Sequence, residues 1–280
     1  MIPPSVPMVI YGIIASEDIG KLFIAGIGPG LLLVTLFVIA ISLTVRFSPT
    51  LGPAGEAMPL GQMIRASYKT WPILALFLIV LGGIYLGVFT PTESAAVGVV
   101  GTFLFGAARG RLLSKEDLVP VFVETIRTSA MIFSIIFAAL ILAQFVNLTG
   151  MPRQLVGFID ALGFGPLGLV IVICVICVLL GMVFESIGIL VLIIPVFLPS
   201  LRALHVDLIW FGVIVILVIE AGLITPPIGM NVFTVKAVIK DVPLGRIFVG
   251  VTPYVAAMIV ALALIIAFPA IAVHLPQLMW

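Results

Sequence analysis

The residues best suited to chemistry form a short polar, proline-rich stretch, TPPIGMN, inside an otherwise apolar sequence. Pro226 and Pro227 lack backbone N–H groups and Gly229 accepts unusual dihedral angles, so the stretch predicts an unwound segment within a membrane helix. Its freed carbonyls can bind a cation, the following half-helix can face an anion, and Thr225 and Asn231 add side-chain oxygen. A simple proline kink is the alternative interpretation.

A second polar cluster, FTPTESAAVG, lies where the chain must reverse direction between two apolar arms. Hydroxyl and carboxylate oxygens of this kind suit Na⁺ better than a transition metal. In the alternative interpretation Thr92 caps a helix and the adjacent carboxylate favours the helix dipole. The cluster comprises Thr90, Pro91, Thr92, Glu93 and Ser94.

A third candidate, Pro3-Pro4-Ser5, resembles TPPIGMN in its double proline and its position before an apolar helix. Further matches follow at similar spacing, including Gly20-Lys21 with Gly245-Arg246. Such similarity predicts an internal repeat, with Pro3, Pro4 and Ser5 as an incomplete counterpart of the second break; coincidence is the alternative.

Three carboxylates lie next to charge-free runs that are too short to cross a bilayer. The runs contain 15 residues after Glu93, 16 after Glu185 and 15 after Glu220. A helix of about 15 residues reaches roughly 22 Å, less than a bilayer core of about 30 Å. Glu93, Glu185 and Glu220 are therefore predicted to lie within the membrane profile, where a carboxylate is functional by default; placement at an interface or neutralisation by a proton is the alternative.

Composition decides the solvent of this chain and excludes several functions. The 280 residues are 63% hydrophobic and 9% charged, with a mean hydropathy of +1.42, so the chain belongs in lipid. A net charge of +1 without a basic stripe argues against nucleic acid as a partner. The sequence has no Ser-His-Asp set, metal-ligand cluster or nucleotide loop, so we expect no enzyme activity, and Cys174 and Cys177 are interpreted as helix-packing residues.

The elements that position these residues are predicted to be membrane helices, which gives an all-α polytopic fold. Long charge-free runs predict helices at 22–45, 128–147, 166–184, 186–201 and 247–270, with a helical hairpin at 72–108 and a broken helix at 208–240. An amphipathic helix at 112–127 is expected after an N-cap at Ser114, and Trp71 and Trp210 fit interface anchors. Placing ten of the 13 Lys and Arg residues in the cytoplasm makes the two repeat copies run in opposite senses.

The predicted domains follow from this repeat. Residues 1–45 are a remnant of the first inverted repeat, 46–70 a cytoplasmic connector, and 71–280 a second repeat that contains the re-entrant hairpin. Because the first copy has no counterpart of that hairpin, we expect an N-terminally shortened version of a longer protein; a genuine short paralogue is the alternative.

The chain resembles the large permease subunit of TRAP (tripartite ATP-independent periplasmic) transporters in several motifs, which follow one another in the family's order. These motifs are IPPSVPMVIYG, FTPTESAAVG, GMVFESIGILVLIIPVFLP and GLITPPIGMNVF. The resemblance covers essentially the whole chain and corresponds to the C-terminal two-thirds of such a subunit. It implies an elevator-type importer in the bacterial inner membrane, driven by Na⁺ and using no cofactor.

The resemblance also implies partners and site residues. These are a small four-helix membrane subunit, a periplasmic binding protein, and a small organic acid such as a dicarboxylate or a sialic acid. The tip at 90–94 and the break at 225–231 would line the Na⁺ and substrate sites, and residues 3–5 the opposite break. Two alternatives remain open: a similar inverted-repeat carrier that needs no binding protein, and a non-transporting scaffold or fragment.

Overall fold

The computed structural model describes residues 2–52, 59, 61–63, 67, 70–161, 163 and 165–279, excluding the side chains of 159 and 160. Apart from one 3₁₀ turn at Pro49–Leu51, every regular element in these ranges is an α-helix, which confirms the predicted all-α fold. About half of the predicted connector at 46–70 lies outside the described residues.

Twelve α-helices are described. In chain order they are α1 (Val6–Ala15), α2 (Ile19–Phe47), α3 (Trp71–Tyr85), α4 (Pro91–Ala108), α5 (Lys115–Leu148), α6 (Met151–Ala161), α7 (Gly165–Gly181), α8 (Ser186–Ala203), α9 (Leu208–Gly222), α10 (Met230–Val238), α11 (Leu244–Ala267) and α12 (Ala270–Met279). Of these, α2, α5, α8 and α11 are long and apolar enough to cross a bilayer, judged by length and composition.

Two predicted interruptions are confirmed. The hairpin at 72–108 is the pair α3 and α4, which pack against each other, and the broken helix at 208–240 is the pair α9 and α10. The predicted N-cap at Ser114 is confirmed too, because its hydroxyl oxygen accepts a hydrogen bond from the Asp117 N–H at 3.1 Å. The re-entrance of the hairpin stays a prediction.

Three predictions were wrong, two about the bounds of helices and one about the surroundings of Trp210. The amphipathic helix at 112–127 and the membrane run at 128–147 are one helix, α5, because the exposed charges of its first half do not interrupt backbone hydrogen bonding. The last helix ends at Ala267 and is followed by a separate α12. Trp210 is no interface anchor: it is buried, and its indole Nε1–H donates to the Ile265 carbonyl at 2.9 Å.

The described residues form two compact units, Met1–Leu51 with Ile135–Trp280, and Gly52–Ser134. In the larger unit the core is built around α9, whose side chains from Trp210 to Ile219 are buried on every face. This helix packs against α1, α2, α7, α8, α11 and α12. A helix that is apolar all round is stable only inside such a ring of neighbours, so α9 is the central element.

The two predicted repeat copies share one order of elements. In each, a double proline precedes a short helix, α1 or α10, and a long helix with an internal proline follows, namely α2 with Pro29 and α11 with Pro253. The Pro3–Pro4 and Pro226–Pro227 peptide bonds are both cis. The opposite orientation of the copies in a membrane and the domain boundaries drawn from them stay predictions.

Candidate functional site

The break between α9 and α10 is an ordered turn at 223–229. Two of its hydrogen bonds are local: the Thr225 hydroxyl donates to the Ala221 carbonyl at 2.6 Å, and the Asn231 N–H donates to the Leu223 carbonyl at 3.1 Å. Gly229 has a φ of 61°, in the left-handed region that glycine adopts without a Cβ clash, and it is the N-cap of α10. The sequence thus replaces about two helical turns with a polar, partly accessible loop.

A second interruption, between α7 and α8 at 182–185, lies directly beside this loop. The Gly229 N–H donates to the Met182 carbonyl at 3.2 Å, across a sequence separation that no local structure explains. Glu185 is the N-cap residue of α8 and its carboxylate makes no cap hydrogen bond. Two unwound segments therefore meet at one place, each at the C-terminal end of a helix, where the helix dipole concentrates partial negative charge.

The N-terminal break precedes α1. Ser5 is the extended N-cap residue of that helix, is 7% exposed, and makes no side-chain cap hydrogen bond. Its carbonyl accepts the Val9 N–H at 3.1 Å, so the helix begins directly after the double proline. The Ser5 hydroxyl consequently remains available to a ligand.

A cavity of about 580 Å³ joins the N-terminal break to the α9–α10 break. Its polar lining consists of Ser5, Glu220, Asn231 and Tyr254, and its apolar wall includes Pro4 and Ile224. Glu220 is the single charged side chain among the described lining residues. The structure thus brings together members of two of the three predicted clusters with one of the predicted carboxylates.

Glu185 and Glu220 both lie next to the interruptions: Glu185 is exposed at the start of α8, and Glu220 is partly exposed in the last turn of α9. Carboxylates at these positions favour a cation nearby. Their common location was not predicted, because the two residues are 35 positions apart in the sequence and only the fold places 182–185 beside 223–229.

The hairpin tip at 90–94 lies in the smaller compact unit. A threonine caps α4 and Glu93 lies in its first turn, as the alternative interpretation expected, but the N-cap residue is Thr90 and not Thr92. The Thr90 oxygen accepts the Glu93 N–H at 3.3 Å and the Glu93 carboxylate accepts the Thr90 N–H at 2.8 Å, a capping box with Pro91 at the first helical position. Ser94 is fully buried and donates to the Val80 carbonyl at 3.2 Å. The geometry supports a structural role for this tip, and its ion binding stays a prediction.

Sequence reasoning missed two residues of the larger unit that face the breaks. Met182 supplies the carbonyl that accepts the Gly229 N–H, and Tyr254 of α11 lines the cavity with its ring. Met182 carries no side-chain signal, because its backbone makes the contact. Tyr254 could have been singled out as a polar aromatic residue within a long apolar helix. Cys174 and Cys177 are free thiols buried in α7, as expected of packing residues.

Apolar helices interrupted around a polar, carboxylate-bearing cavity are typical of membrane transport proteins, because unwound backbone is tolerated at membrane depth only where protein or a cavity covers it. Residues 1–271 match the family described as Tripartite ATP-independent periplasmic transporter, DctM component. The chain belongs to this family.

Relatives that are named for different substrates resemble the chain almost equally. The C4-dicarboxylate large permease protein DctM of Pseudomonas aeruginosa is 32% identical over 277 residues, and the ectoine large permease protein TeaC of Halomonas elongata is 34% identical over 281. The sialic acid large permease protein SiaM of Vibrio cholerae is 30% identical over 279 residues. In each comparison 99% of this chain is covered, and the chain spans 64% of the relative's length.

Proposed function

We propose that this chain provides the ion and substrate site of a Na⁺-coupled permease that imports a small organic acid. The proposed partners are a small four-helix membrane subunit and a periplasmic binding protein that delivers the substrate. The observation that carries this proposal is the meeting of the two interruptions at 182–185 and 223–229, joined by the Gly229–Met182 hydrogen bond, next to a cavity that reaches the N-terminal break.

The paired interruptions suit Na⁺ for a physical reason. Na⁺ is a hard cation that prefers several oxygen ligands, and this place offers carbonyls at two helix C-termini, the Thr225 oxygen and the Asn231 amide. The hydroxyl of Thr225 donates its hydrogen bond to the Ala221 carbonyl, so the lone pairs of the hydroxyl oxygen can face a cation.

The cavity suits a small organic acid next to that ion. Ser5, Asn231 and Tyr254 can donate hydrogen bonds to a substrate carboxylate, and a bound cation would offset the charge of Glu220. The relatives named for C4-dicarboxylate, ectoine and sialic acid define the substrates to be tried first.

Uptake by proteoliposomes tests the proposal. The chain is reconstituted with its proposed small subunit and binding protein, and uptake of radiolabelled succinate, ectoine and N-acetylneuraminate is measured with an inward Na⁺ gradient and with choline in its place. We expect uptake of one substrate that requires both Na⁺ and the binding protein. Uptake without the binding protein would favour the simpler carrier, and a folded chain that transports none of them would favour a scaffold.

Two variants connect uptake to the site. Asn231→Ala removes an amide that lines the cavity, and Thr225→Ala removes the hydroxyl at the end of α9, so both should weaken the Na⁺ dependence of uptake. Thr234→Ala is the matched control, because this exposed hydroxyl of α10 likewise donates to the carbonyl four residues earlier. Unchanged Na⁺ dependence in both site variants would reject this location for the ion.

A further inference from the structure

A second cavity, of about 310 Å³, lies between the C-terminal halves of α1, α5 and α8, away from the interruptions. Arg202 and Asn147 line it from the last turns of α8 and α5. Pro195 and Leu140 line it from positions seven residues earlier on the same two helices. At 1.5 Å per residue the cavity therefore runs along the helices for roughly 10 Å, from a polar mouth to an apolar inner end.

The cavity exists because α5 stands apart from its neighbours. The α1 and α8 helices pack against each other, whereas no described helix makes extensive contact with α5. On the two sides of the gap the helices present the short rings of Pro195 and Pro199 and the methyl group of Ala143. An unfilled gap loses the dispersion contacts of a close-packed interior, and apolar walls do not hold ordered water. In a bilayer, the apolar material that can fill such a gap is an acyl chain.

The mouth of the cavity carries charges of both signs. The Arg202 guanidinium donates one hydrogen bond to the Ala15 carbonyl at 2.7 Å, which holds it at the end of α1. Its other N–H groups and the Asn147 amide can donate to the oxygens of a phosphate. Two carboxylates stand beyond the same helix ends, Glu17 after α1 and Asp207 before α9. Burial raises the pKa of Glu17, and the neighbouring Arg202 guanidinium opposes this shift.

We propose that this cavity binds one zwitterionic phospholipid with a primary ammonium in its headgroup, represented by phosphatidylethanolamine. An acyl chain fills the gap between α5 and α8, and the phosphate accepts hydrogen bonds from Arg202. The ammonium lies on the side of Glu17 and Asp207, whose carboxylates attract it. These carboxylates disfavour an anionic headgroup, and a choline headgroup has no N–H group to donate. The site requires neither the ion nor the substrate of the proposed function.

Native mass spectrometry of the purified full chain in detergent tests the proposal. The chain is titrated with phosphatidylethanolamine, phosphatidylglycerol and phosphatidylcholine of identical acyl chains, and the dissociation constant of the first bound lipid is measured. We expect phosphatidylethanolamine to bind most tightly. Arg202→Gln should weaken its binding by about tenfold or more, because charge-assisted hydrogen bonds to the phosphate are lost. Ala143→Phe, which fills the gap with a ring, should remove the tight binding.

Each variant has a matched control. Arg153→Gln removes an exposed arginine at the start of α6 that is not among the described lining residues. Ala138→Phe adds the same ring to an exposed position of α5 that likewise does not line the cavity. Both controls should keep the wild-type dissociation constant. Glycerophosphoethanolamine, which has the headgroup without acyl chains, should not displace the lipid.

Several results would overturn this site. One is equal affinity of the wild-type chain for the three lipids, and another is unchanged phosphatidylethanolamine binding in Arg202→Gln. Displacement by glycerophosphoethanolamine would mean that the gap holds no acyl chain. A wild-type chain that binds no lipid would mean that protein fills the gap. If Ala143→Phe does not fold, the comparison of Arg202→Gln with Arg153→Gln decides.

Discussion

Replacement of Gly229 by alanine tests whether the left-handed turn at the start of α10 is needed for ion binding. With a φ of 61°, an alanine at this position carries a penalty of about 1–2 kcal/mol. The added Cβ would also lie 3.1 Å from the Phe248 ring and 3.3 Å from the Thr225 carbonyl oxygen, which is tight but partly adjustable. The backbone strain is therefore the dominant cost.

The expected magnitude follows from this strain. If the ion binds only when the turn is intact, apparent affinity falls in proportion to the fraction of molecules that retain the turn. A penalty of about 1–2 kcal/mol lowers that fraction by at most about 5- to 30-fold. Gly229→Ala should thus raise the half-saturating Na⁺ concentration, measured by thermal unfolding in nanodiscs, by a factor no larger than this.

Gly110→Ala provides the comparison. Gly110 also has a positive φ, of 72°, but a Cβ there meets nothing within 4 Å, and the residue belongs to the smaller compact unit. Its substitution carries the same kind of backbone penalty without touching the interruptions. The reasoning is refuted if the two variants shift the half-saturating Na⁺ concentration equally, or if neither shifts it.

Three further substitutions have defined outcomes. Thr225→Ser keeps the hydroxyl at the end of α9 and should restore the Na⁺ affinity that Thr225→Ala lowers, measured by Na⁺-dependent unfolding; failure of this rescue would assign the effect to the lost methyl group. Trp210→Phe leaves the Ile265 carbonyl without its indole donor and should lower the free energy of unfolding, measured in denaturant, by about 1–3 kcal/mol. Trp71→Phe is the control, because Trp71 is half-exposed and its replacement should change that free energy little. Thr90→Ala removes a helix cap and should lower the free energy of unfolding by about 1 kcal/mol. The half-saturating Na⁺ concentration should not change; if it rises, the hairpin tip takes part in ion binding.

The interruption at 223–229 could be predicted because its cause is local. Two successive residues without N–H groups and a glycine four residues after Thr225 leave a helix no continuous hydrogen bonding. The N-cap at Ser114 was predictable for the same reason. The cap at the hairpin tip was predictable as well, since Thr90-Pro91-Thr92-Glu93 has the spacing of a capping box, with proline at the first helical position.

The contacts between interruptions could not be predicted in this way. Gly181 and Gly222 each stand just before a break in the sequence, but nothing local shows that they face each other. The bond from Gly229 to the Met182 carbonyl involves backbone alone and leaves no trace in residue type. The sequence therefore indicates which residues can bind an ion. The packing of α7 against α9 decides which of these residues lie close enough together to bind one and the same ion.

The packing of α7 against α9 also explains why ion binding should raise the melting temperature. The α7 and α9 helices end side by side, and each C-terminal end carries a partial negative charge of roughly half an electron. Two such ends in backbone contact repel each other. A cation between them converts this repulsion into attraction, so the folded state should bind Na⁺ in preference to the unfolded chain and melt at a higher temperature in NaCl than in choline chloride. Equal melting temperatures in the two salts would mean that the helix ends are neutralised by protons or water, and would refute Na⁺ binding at this place.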